Sequence, residues 1–102
     1  MSSKFLAVWF QHSRARLAAL WFEQRTKDLG YPAKPKRRAY LNADLPVFKW
    51  PKRMPEEVKE VLREEYSRVS DVIAALDIET VEAMVYRYPT EAPGQLSTLI
   101  AV

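Results

Sequence analysis

The stretch PEEVKEVLREEYSRVSDVIAAL, residues 55–76, decides the fold class of this 102-residue chain. Pro55 suits the first position of a helix, where its missing N–H would have no partner anyway, and Glu56 and Glu57 complement the positive end of the helix dipole. Val58, Val61, Leu62, Tyr66, Val69, Val72, Ile73 and Leu76 then recur at the spacing that lines one face of an α-helix. Glu64 and Arg68 add a favourable i, i+4 pair on the outside. The spacing therefore predicts a helix over 55–76.

Beyond it, Asp77 is placed to cap a shorter helix over 78–88, with Ile78, Val81, Val85 and Tyr88 inward and Pro89 as its end. A strand over 81–88 is the lesser reading. The uncharged tail, Gln95–Val102, is expected to add as an edge strand or to tuck against a partner.

On the other side lies a segment that resists both helix and sheet. Five of the seven prolines (Pro32, Pro35, Pro46, Pro51 and Pro55) fall between Tyr31 and Pro55. Each disfavours helix in the residue before it and removes a backbone donor. The expectation is an extended arm over 31–54, able to reach about 75 Å at roughly 3.1 Å per residue. Linkers are ordinarily polar, but this one interleaves Tyr40, Leu41, Leu45, Val47, Phe48 and Trp50 with Lys and Arg. Such rings on a free tether would have no role, so the arm is expected to lie down on a surface.

Before the arm, Arg14–Leu29 is rich in Ala and Leu, strong helix formers, and Gly30-Tyr31-Pro32 is a natural stop. A helix is predicted over 13–29, with an extension back to residue 4 left open. Phe5-Leu6-Ala7-Val8-Trp9-Phe10 fits helix or buried strand equally, because a short apolar run has no decisive period. Ala7-Val8-Trp9-Phe10-Gln11 is echoed by Ala19-Leu20-Trp21-Phe22-Glu23, a match too short to make a repeat.

The fold class expected is mainly α, with helices near 13–29, 55–76 and 78–88 joined by the arm. The runner-up is α+β, with strands near 4–11 and 96–101 and in part of Tyr40–Trp50. One hundred and two residues support one small domain with one modest core.

Charge divides the chain more sharply than any motif. Residues 1–53 carry twelve basic residues against three acids, a balance of +9. Residues 54–102 carry four against ten, a balance of −6. Opposed halves can neutralise each other within one fold or between neighbouring copies, and a basic half can also meet an outside polyanion.

Composition narrows the chemistry. With no cysteine there is no disulfide, thiolate nucleophile or Cys-based metal site, which fits a reducing, intracellular compartment. Two glycines leave little material for phosphate-cradling loops, and the single histidine, His12, has no carboxylate cluster near it. No apolar run approaches the roughly 20 residues a bilayer needs. His12 as a general base lacks a Ser or Asp partner at motif spacing. No catalytic residue, metal or cofactor is expected, and the chain is not read as an enzyme.

What remains is recognition. Lys34, Lys36, Arg37, Arg38, Lys49, Lys52 and Arg53 are candidates for polyanion binding, with arm rings stacking on bases. A helix-turn-helix over the last two helices is disfavoured, since Glu79 and Glu82 would face phosphate. A membrane-surface role for the N-terminal segment is disfavoured too, because its aromatics spread around the helix rather than along one face. Twelve aromatic residues exceed what one small core comfortably hides, so some should serve an interface. Trp9, Trp21, Phe22, Tyr40, Phe48 and Trp50 are the candidates for protein contact. The expected function is a non-catalytic structural or assembly subunit of a larger complex or homo-oligomer. The alternative is a small nucleic-acid-binding or regulatory factor using residues 31–53.

Overall fold

The computed structural model describes residues 3–33 and 50–101, with side chains from Val8 onward. The chain is mainly helical. Among the described residues α1 spans Ser3–Asp28, α2 Glu56–Ala75, α3 Ile78–Glu82 and α4 Ala92–Ile100, with a single π-helical turn at Ala83–Arg87 between α3 and α4.

Helix α1 takes in the whole ambiguous run at 4–11, so the strand alternative there is corrected. It ends as its sequence predicts. Gly30 adopts φ +88°, its N–H donates to the Lys27 carbonyl at 3.1 Å, and Tyr31 N–H reaches back to the Thr26 carbonyl at 2.9 Å. This is the Schellman arrangement, and only glycine enters its left-handed position without strain. Arg25 and Lys27 in the last turn face the negative end of the dipole.

Helix α2 begins one residue after Pro55, which flanks the helix rather than entering it. Leu62, Val69 and Ile73 of the expected stripe are buried, while Val61 stays 49% exposed. Asp77 caps α3 by accepting from the Thr80 N–H at 2.7 Å. Hydrogen bonding from the Thr80 side chain, and then from its N–H, holds the Asp77 carboxyl below its ordinary value.

The helix expected over 78–88 stays α-helical only to Glu82 and then widens by one residue per turn. Tyr88 N–H closes the wide turn on the Ala83 carbonyl at 2.8 Å. The widened turn buries Met84 and Val85 and leaves Tyr86 and Tyr88 on the surface, so the inward placement of Tyr88 is corrected. The tail is corrected as well: residues 92–100 form α4, with Pro93 in the first turn, where a missing N–H costs nothing.

Helix α1 packs against α2, α3, the π turn and α4. Leu17, Ala18, Trp21 and Phe22 meet Leu62, Val69, Ile73, Val81, Met84, Val85, Ala92 and Leu96 in one apolar cluster. Each large side chain there contributes about 1.5–3 kcal/mol by leaving water. Buried Thr26 is satisfied: its hydroxyl donates to the Phe22 carbonyl, 2.9 Å away, and accepts from Ala33 N–H at 3.1 Å. Tyr66 lies at the edge of this cluster, and burial pushes its hydroxyl pKa up.

Candidate interaction surface

A helix brings residues i, i+4 and i+7 onto one face. On α1 those residues are Trp9, Ser13 and Arg16, and all three meet Tyr86 of the π turn. The Trp9 and Tyr86 rings stack, with centroids 5.7 Å apart and planes 13° from parallel. The Ser13 and Tyr86 hydroxyls stand 3.5 Å apart. The Arg16 guanidinium lies 5.8 Å from the Tyr86 ring centre, within cation–π range.

One helical turn before Tyr86, Glu82 accepts a hydrogen bond from the Trp9 indole N–H at 3.1 Å. The surface thus runs in the order cation, ring, ring, anion: Arg16, Tyr86, Trp9, Glu82. It is built yet open to water. Trp9 is 38% exposed, Tyr86 45% and the adjoining Val8 59%. Exposed Glu79 lines a shallow hollow with Glu82, Ala83, Tyr86 and Arg87. Beside the stack, Arg14 covers the Phe10 ring at 4.5 Å.

The other expected contact residues divide. Trp21 and Phe22 are wholly interior, so their assignment to a partner surface is corrected. Trp21 donates its indole N–H to Ser97 Oγ at 3.0 Å, and both rings lie 6.3 Å from Tyr66. Trp50 is half-buried on its own chain, edge-on to Phe22 at 5.6 Å with Arg63 over its other side at 5.5 Å. That ring contributes to the fold, not to an open patch. Tyr40 and Phe48 lie outside the described residues, as do Lys34, Lys36, Arg37, Arg38 and Lys49. Lys52 and Arg53 are exposed in the turn that leads into α2.

Among the described residues the opposed charges meet in one ion pair. Arg25 of α1 grips Glu65 of α2 through Nε and Nη2, at 3.0–3.2 Å. This pair borders a cleft of about 520 Å³ between α1, α2 and α4, lined also by Trp21, Gln24, Asp28 and Ser97. Most of its polar groups hold one another, Arg25 with Glu65, Trp21 with Ser97, and Gln24 with Asp28 at 2.7 Å, while Arg68 turns to Glu64 outside it. His12 is not among its lining residues. The cleft therefore reads as a seam between helices.

The chain matches no family model, no curated protein and no solved structure. Its functional reading rests on its own surface. Among the described residues no helix is long and apolar enough to cross a membrane.

Tyr86 and Arg16 escaped the sequence reading, and Glu82 entered it only as a charge that would repel phosphate. The signal that would have found Arg16 is the Trp9, Ser13, Arg16 spacing, which puts a ring, a hydroxyl and a cation on one face of α1. The outward turn of Tyr86 had no such signal, because it depends on the π turn.

Proposed function

We propose that the chain is a non-catalytic structural or assembly subunit that joins a protein partner, or further copies of itself, within an intracellular complex. The observation that carries this reading is the Trp9–Tyr86 stack on the outside of the fold, flanked by Val8 and Arg16. Trp, Tyr and Arg are the residue types that concentrate binding energy at protein interfaces. The rings are held by neighbours before any partner arrives, so little side-chain freedom remains to be lost on docking.

The test is the absolute mass of the purified chain by light scattering at low and high salt, with the 260/280 nm absorbance ratio recorded. A multimer that keeps its mass at high salt and carries no nucleic acid is expected. A monomer that releases copurified nucleic acid only at high salt would overturn the reading in favour of a polyanion-binding factor, because phosphate contacts weaken steeply with salt.

A further inference from the structure

We infer that the Trp9–Tyr86 surface binds a second copy of this chain across a two-fold axis, an inference that rests on the assembly reading and names its partner. A two-fold interface must be self-complementary, since each patch meets its own image. The order Arg16, Tyr86, Trp9, Glu82 has that property. A two-fold rotation about the middle of the ring pair lays rings against rings and brings Arg16 opposite Glu82 of the partner subunit, twice per dimer. Glu79, exposed beside Glu82, strengthens the acidic end, with Arg87 its only cationic neighbour in that hollow. A different protein would have to present the reversed order, which a second copy presents already.

The pairing is tested by charge reversal in the full chain. Arg16→Glu and Glu82→Arg are made separately, and each is weighed by light scattering across roughly micromolar to millimolar concentration. Each reversal places like charges opposite one another twice, so each variant alone is expected to associate about a hundredfold more weakly than wild type. Mixed in equal amounts, the two are expected to regain the wild-type dimer, because both crossed pairs are then of opposite sign. Restored association also shows that the variants are folded, which circular dichroism checks independently. Two variants that keep the wild-type mass would overturn the inference and leave the assembly reading standing, since another face would then join the copies. Weakened variants that fail to rescue each other on mixing would overturn the pairing. Wild-type chain that is monomeric throughout overturns the inference, and its elution with nucleic acid would overturn the assembly reading as well.

Discussion

Helix α1 carries the same pair of residues twice, Trp9-Phe10 and Trp21-Phe22; Phe10 and Phe22 both pack on the core, but the fold treats the two tryptophans in opposite ways. Twelve residues separate the pairs, about 18 Å along the axis and a third of a turn around it. Each tryptophan donates its indole N–H to a side chain of a later helix and has a tyrosine ring beside it. Trp21 is fully enclosed, with α2 and α4 over it, while Trp9 is 38% exposed beside α3 and the π turn. Identical local chemistry therefore becomes core at one end and surface at the other. What differs is the cover: α4 places Ala92 and Leu96 in the core, whereas the turn beside Trp9 presents Glu82 and Tyr86.

The comparison breaks first at the buried pair. Trp21→Ala removes a wholly enclosed ring and its hydrogen bond to Ser97, so a loss of about 3–5 kcal/mol is expected, read as a lower denaturant midpoint. A much smaller loss would mean that the Trp21 ring contributes little to the core that encloses it. Gly30→Ala probes the stop that sets the buried end of α1. Nothing lies within 4 Å of the added methyl, so the expected cost is the left-handed strain alone, about 1–2 kcal/mol in thermal or chemical unfolding.

Glu65→Gln sharpens the electrostatic side of the same contrast. It weakens the Arg25–Glu65 grip between α1 and α2, which spans the two charge halves. With both side chains partly exposed, the expected loss is about 1 kcal/mol, shrinking further in high salt. The smallest effect belongs to Asp77. Its carboxyl titrates below the ordinary value of 3.8 because Thr80 donates to it, so its contribution is complete above that value and fades as pH falls through the lowered one. Asp77→Asn should flatten that part of the acid limb in a pH series of melting midpoints, and an unchanged limb would show that the cap does not carry it.

The contrast also explains which features were legible beforehand. Helix α2, the Gly30 stop and the Asp77 cap follow from local rules: an apolar period, a left-handed position and a side-chain acceptor. Helix α4 was not legible: the uncharged run from Gln95 onward is short and apolar, which leaves strand and helix undecided, and the structure makes it helical with Pro93 in the first turn. Trp9 and Trp21 could not be told apart because cover is a tertiary property, and neighbours in sequence do not encode it. The same holds for Trp50, whose docking on Phe22 is a contact between residues far apart in sequence. The outward Tyr86 follows from the extra residue in the π turn, which shifts every later side chain around the axis.

The most direct measurement is the mass of Trp9→Ala by light scattering, taken beside wild type at equal concentration and high salt, with circular dichroism on the same samples. The account predicts a wild-type multimer and a variant that stays helical, loses about 1 kcal/mol of stability with the ring stack, and falls to monomer mass. A Trp9→Ala chain that keeps the wild-type mass would contradict it.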